Sequence, residues 1–85
     1  MKTLYSQRYQ RLLALLVEAR RASGLTQQDV ANKLKRPQSF VSKYESGERR
    51  IDVVELLMLG EAIGFDVTQI VKSLSTRTKD PAVGR

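Results

Sequence analysis

The sequence predicts an all-α fold, a compact bundle of five short helices. Apolar residues recur at spacings of three and four along most of the chain, as on one face of an α-helix. Glycine and proline residues divide the chain into segments of helical length, and no useful stretch alternates apolar with polar residues as a strand would. The helices are expected over about residues 6–23, 26–34, 37–46, 52–63 and 66–74. Residues 1–74 would form one domain, followed by a flexible tail over residues 75–85.

The first predicted helix carries an apolar stripe that includes one charge. Tyr9, Leu13 and Leu16 fall on one face at helical spacing, and Gly24 follows the last turn as a stop signal. Arg20 lies on the same stripe, one turn beyond Leu16. A charge in that position must either reach the solvent or find a partner.

The second and fourth predicted helices begin with capping-box patterns. Thr26 precedes Asp29 by three residues, and Asp52 precedes Glu55 by the same spacing. The fourth helix is apolar nearly all round, which predicts a central position in the bundle. We interpret Glu55 and Glu61 as part of a solvated helix face, because no second group of catalytic type accompanies them.

The composition excludes several classes of protein. The 85 residues include no cysteine and no histidine, which excludes a disulfide scaffold, the usual zinc fingers and histidine-based acid–base catalysis. No metal constellation, phosphate loop or nucleophile–base pair is visible, so we expect neither an enzyme nor a need for a cofactor or metal. No apolar run reaches the roughly 18 residues of a membrane span. We therefore expect no membrane association and a cytoplasmic location.

The charge is basic and unevenly distributed. The formal net charge is +6. Residues 33–50 hold six basic and two acidic residues, whereas residues 51–72 hold one basic and four acidic residues. A protein with one face against nucleic acid would show this segregation, and a mixed solvated surface would not need it.

Helices 2 and 3 have the arrangement of a helix-turn-helix, because they are short and joined by a turn of about three residues. Val41 and Tyr44 would point from helix 3 into the bundle. The other side of helix 3 offers amide, hydroxyl and ammonium groups, which can lie against DNA. These groups belong to Gln38, Ser39, Ser42 and Lys43.

Two runs of residues carry a resemblance to a known family. Residues 24–34 read Gly-Leu-Thr-Gln-Gln-Asp-Val-Ala-Asn-Lys-Leu, and residues 38–47 read Gln-Ser-Phe-Val-Ser-Lys-Tyr-Glu-Ser-Gly. With residues 56–64, they resemble the Cro/cI repressor family of phage and bacterial regulators, of the xenobiotic-response-element type, over about residues 8–74. The chain departs from this family in the turn, where the family usually has glycine at the position of Lys35 and an apolar residue at that of Arg36.

The resemblance implies the lambda-repressor-like fold and a role for each polar residue of the motif. The base-reading residues would be Gln38, Ser39, Ser42 and Lys43. The phosphate contacts would come from Gln27, Lys35, Arg36, Arg49 and Arg50. A structural ion pair between Arg20 and Glu45 would lie beneath the DNA face. Metal-binding and catalytic residues are not expected.

Simpler interpretations stay open for several of these residues. Gln38 and Ser39 could serve only as solvated residues of a first helical turn, and Arg49 and Arg50 could form a solvated loop. Phe40 either touches a thymine methyl group or covers an edge of the core.

The resemblance implies a sequence-specific, double-stranded-DNA-binding transcription regulator, a repressor or autoregulator associated with a bacterial or phage nucleoid. One recognition helix reads too few base pairs to select a genomic site, so we expect a homodimer on a palindromic operator. The dimer contact would come from the stripe of helix 5, unless that stripe closes the core; its residues are Val67, Ile70, Val71 and Leu74. Two alternatives are an antitoxin whose tail folds on a toxin protein, and a protein-interaction adaptor that does not read DNA.

Overall fold

The computed structural model describes residues 6–75, which form five α-helices. They are α1 (Gln7–Ala22), α2 (Gln27–Leu34), α3 (Gln38–Ser46), α4 (Val53–Ile63) and α5 (Val67–Ser75). Each helix begins and ends within one residue of its predicted bounds, and no strand occurs between residues 6 and 75. The all-α prediction is confirmed. Of the predicted tail, residues 76–85 lie outside the described residues.

Side chains at the helix starts explain why the helices begin where they do. In the capping box of α2, the Thr26 hydroxyl accepts from the Asp29 amide at 3.0 Å, and the Asp29 carboxylate accepts from the Thr26 amide at 2.8 Å. Asp52 and Glu55 form the same reciprocal pair at α4. Each pair satisfies backbone donors that the first turn of a helix leaves free.

One hydrophobic core joins the helices. The third helix packs against α1 and α2, while α5 packs against α1 and α4. Val41 and Tyr44 are fully buried, as the spacing in α3 predicts. The core residues are Tyr9, Leu13, Leu16, Val30, Ala31, Phe40, Val41, Tyr44, Leu56, Leu59 and Ile63.

The prediction that α4 is central is wrong. Leu56 and Leu59 face the core, but Val53 is 71% exposed, Val54 61% and Leu57 49%. The neighbouring helices among the described residues cover only one side of α4. Apolar composition alone therefore overstated its burial, since a helix needs only one apolar stripe to join a core.

The turn between α2 and α3 accommodates the departure at Lys35. This residue adopts the left-handed conformation, with φ 59° and ψ 45°, which glycine adopts without steric cost. Its amide donates to the Asn32 carbonyl, and the Arg36 amide donates to the Ala31 carbonyl. The turn thus keeps its geometry at a cost of about 1 kcal/mol for a residue with a side chain.

Gly60 lies inside α4 where the chain passes close to α5. A Cβ at this position would lie 2.6 Å from Cγ2 of Val67. We therefore expect Gly60→Ala to lower the free energy of unfolding by about 1–2 kcal/mol, although alanine is the better helix former. Urea unfolding checks this, and adding Val67→Ala should recover part of the loss. A Gly60→Ala variant as stable as the parent would contradict the close packing.

Candidate nucleic-acid interface

The outer side of α3 presents polar side chains to solvent. Gln38, Ser39 and Lys43 are exposed, whereas Ser42 is half-buried. The Ser42 hydroxyl donates to the Ser39 carbonyl at 3.3 Å. We call these four residues the reading face. It has the size and donor groups that a major groove accepts.

A buried ion pair lies beneath the reading face. Arg20 donates to both carboxylate oxygens of Glu45, from Nε at 2.7 Å and from Nη2 at 3.1 Å, and to the Leu25 carbonyl from Nη1 at 2.9 Å. The two side chains are only 10% and 7% exposed. The hydrogen bonds from Arg20 to Glu45 raise the pKa of Arg20. The charge on the α1 stripe therefore has a partner and does not reach the solvent.

Gln27 connects this ion pair to the reading face. Its Nε2 donates to Oε1 of Glu45 at 2.8 Å, and its Oε1 accepts from Nε2 of Gln38 at 2.7 Å. A continuous path of hydrogen bonds thus runs from buried Arg20 to exposed Gln38. The Gln38 amide is oriented by the protein, which reduces the side-chain entropy lost when it binds a ligand.

Two arginines cover Phe40, which is 7% exposed. The guanidinium carbon of Arg36 lies 4.4 Å from the ring centroid, and that of Arg49 lies 4.9 Å from it. Tyr44 meets the same ring edge-on at 5.5 Å between centroids. Phe40 therefore covers an edge of the core, which is one of the two interpretations that its sequence left open.

Glu55 is buried, so its interpretation as a solvated residue is wrong. Arg49 donates to both of its carboxylate oxygens, at 3.1 and 2.9 Å, and Nη1 of Arg36 lies 3.5 Å from Oε2. The hydrogen bonds from Arg49 lower the pKa of the Glu55 carboxyl. We call Arg36, Phe40, Arg49 and Glu55 the arginine cluster. The basic pair just before the α4 cap was the one sequence signal for it.

The loop after α3 is anchored to the bundle. The Arg50 guanidinium carbon lies 4.2 Å from the Tyr9 ring centroid, and the Tyr9 hydroxyl accepts from the Ile51 amide at 3.1 Å. With the cluster around Arg49, these contacts fix the backbone that follows the reading face. Both Arg50 and Lys35 remain exposed, one beyond each end of α3.

The Tyr44 ring is buried as predicted, but the sequence did not indicate the surroundings of its hydroxyl. The hydroxyl has no hydrogen-bond partner between residues 6 and 75. Burial raises the pKa of this phenol. The hydroxyl therefore contributes no catalytic group to the surface of α3.

The stripe of α5 divides between the core and the surface. Ile70 is buried and Val67 packs against the core, whereas Val71 is 49% exposed and Leu74 is half-buried. Among residues 6–75, no cluster of acidic side chains has the grouping that holds a metal ion. None of the helices in this range has the length and apolarity of a membrane span.

Comparison with known proteins identifies the family. The protein-family model of a helix-turn-helix domain matches residues 11–71 of the chain. A solved structure of an XRE-family like protein from Pseudomonas syringae pv. tomato str. DC3000 is 52% identical, with a TM-score of 0.77, over 79% of this chain and 82% of that one. The chain belongs to the Cro/cI-type helix-turn-helix family. This helix-turn-helix protein is a DNA-binding transcription regulator. Among the curated proteins, none matches the regulator.

Proposed function

We propose that this regulator is a repressor that binds a palindromic operator as a homodimer and acts on its own gene. The observation that supports this most is the exposed reading face of α3, whose Gln38 amide is held in place from below by Gln27. Oriented polar groups on a helix of this motif are what base recognition requires.

The polar residues divide into two roles under this proposal. Gln38 can pair bidentately with adenine and Lys43 can donate to guanine, with Ser39 and Ser42 as shorter contacts. Backbone phosphates would be bound by Gln27, Lys35, Arg36, Arg49 and Arg50. The first set specifies a sequence, while the second supplies affinity and its dependence on salt.

Arg50 is the sharpest test of a phosphate role, because it is exposed and follows the reading face. We expect Arg50→Ala to weaken binding to all sequences alike and to lower the salt slope by about one. Fluorescence anisotropy at several salt concentrations measures both quantities. Lys72→Ala on α5 removes the same charge and serves as the control. If the Arg50 and Lys72 variants have equal salt slopes, Arg50 makes no phosphate contact.

The exposed part of the α5 stripe is the proposed dimer contact. A charge placed at Val71, which is 49% exposed, should separate the protomers without unfolding them. We expect Val71→Glu to sediment as a monomer at concentrations where the parent is a dimer. Gln69→Glu introduces the same charge at an exposed position outside the stripe and should stay dimeric. If the Val71→Glu protein is still a dimer, the dimer contact does not depend on Val71.

A reporter fused to the DNA upstream of the regulator's own gene tests repression directly. Supplying the parent protein should lower reporter expression, and a Gln38→Ala/Lys43→Ala variant should fail to do so. Unchanged expression with the parent protein would contradict autoregulation. Recovery of repression only with a co-purifying protein would favour the antitoxin, and duplex binding without sequence preference would favour the adaptor.

A further inference from the structure

We propose that Glu55 is a positioning residue for DNA binding, which holds the guanidinium groups of Arg36 and Arg49 ready for backbone phosphates. The inference rests on the proposed phosphate role of these two arginines. It assigns that function to a buried acidic residue on α4, outside the helix-turn-helix itself.

Protein groups bind one edge of the Arg49 guanidinium and leave the other edge accessible. Three of its five N–H groups are used, two by Glu55 and one by the Arg50 carbonyl at 2.9 Å. The Nε proton and one Nη2 proton have no partner between residues 6 and 75, and the side chain is 42% exposed. A guanidinium fixed in this way can donate to a phosphate without losing its contact to the carboxylate.

Arg36 shares the same two anchors. Its Nη1 lies 3.5 Å from Oε2 of Glu55, and its guanidinium carbon lies over the Phe40 ring. The side chain is 34% exposed, which leaves N–H groups accessible to a ligand. One carboxylate and one aromatic ring therefore orient two cations beside the reading face.

Glu55 is itself firmly placed. Its carboxylate accepts from the Asp52 amide at 3.0 Å, and the residue is 8% exposed. A negative charge near DNA repels phosphate, so charge alone predicts that removing it strengthens binding. Positioning predicts the opposite, because freed arginines must lose side-chain entropy when they bind. The sign of the change therefore separates the two effects.

The test compares Glu55→Gln with Glu61→Gln, which removes the same charge from an exposed position on the same helix. Glutamine can keep the capping contact to the Asp52 amide but cannot hold the guanidinium with two anionic oxygens. The probe is a fluorescein-labelled duplex of about 20 base pairs and random sequence, because phosphate contacts are independent of sequence. Far-UV circular dichroism identifies a temperature at which each variant is folded.

We expect Glu55→Gln to bind about three- to eightfold more weakly at about 0.1 M salt, with a salt slope lower by about one to two. Glu61→Gln should bind as well as the parent or better. Arg49→Lys, which keeps the charge but not the bidentate contact to Glu55, should show the same kind of loss, whereas Arg21→Lys, at an exposed position on α1 outside the proposed interface, should not. The comparison of Arg49→Lys with Arg21→Lys decides the question if Glu55→Gln is unfolded.

Binding of Glu55→Gln as tight as that of Glu61→Gln would overturn the inference. If that variant is unfolded, equal binding by Arg49→Lys and Arg21→Lys would do so. A parent protein that does not bind the random duplex at all would instead overturn the proposed function. The two failures are therefore distinguishable in one experiment.

Discussion

Glu45→Ala is expected to lower the free energy of unfolding by about 3–5 kcal/mol, because it leaves a buried cation without its partner. The Arg20 side chain is 10% exposed and donates two of its three hydrogen bonds to Glu45. The substitution also removes the acceptor of the Gln27 amide. Urea unfolding measures the loss, and Glu48→Ala, an exposed glutamate three residues on, is the matched control with a change near zero.

A double replacement separates the cost of leaving Arg20 without a partner from the net contribution of the ion pair to the free energy of unfolding. Arg20→Met with Glu45→Leu removes both charges and keeps similar side-chain volumes, so we expect it to recover much of the stability that Glu45→Ala loses. This variant also keeps the test informative if Glu45→Ala is unfolded under all conditions. If Glu45→Ala leaves the free energy of unfolding unchanged, the ion pair is not needed to stabilise the bundle.

Replacing both long side chains of the reading face is expected to abolish operator preference while leaving the fold intact. Each of Gln38→Ala and Lys43→Ala should cost about 1–3 kcal/mol on the operator, and the two losses should roughly add. Both residues are exposed, so the free energy of unfolding should change by less than about 0.5 kcal/mol. Anisotropy titrations on the operator and on a random duplex measure the two affinities.

The random duplex is the internal control for the Gln38→Ala and Lys43→Ala variants. Loss of a base contact weakens operator binding more than non-specific binding, whereas loss of a phosphate contact weakens both alike. Equal losses on both duplexes for Lys43→Ala would remove this residue from the base-reading set.

Local signals were sufficient to predict the helices. The Thr26–Asp29 and Asp52–Glu55 boxes form as their spacing predicts, because a cap depends only on residues three apart. The packing of Val41 and Tyr44 followed from helical spacing in the same way. The Arg20–Glu45 contact spans 25 residues, and it was implied by the family resemblance together with a charge on an apolar stripe.

Features that depend on how the helices pack together could not be predicted in this way. The burial of Glu55 requires α4 to lie against the loop that carries Arg49, and the basic pair before the α4 cap does not by itself encode that approach. The exposure of Val53 likewise depends on which side of α4 its neighbours cover. Lys35 shows a third case, because a sequence without glycine still adopts the left-handed turn when the flanking helices require it.

Selection of a random duplex library on the purified regulator, at about 150 mM salt, tests base recognition by α3 directly. We expect enrichment of an inverted repeat whose half-sites lie about one helical turn, or roughly 34–36 Å, apart. Selection with the Lys43→Ala variant should relax the preference at one position in each half-site. Enrichment of no sequence above the starting library would contradict base recognition by α3.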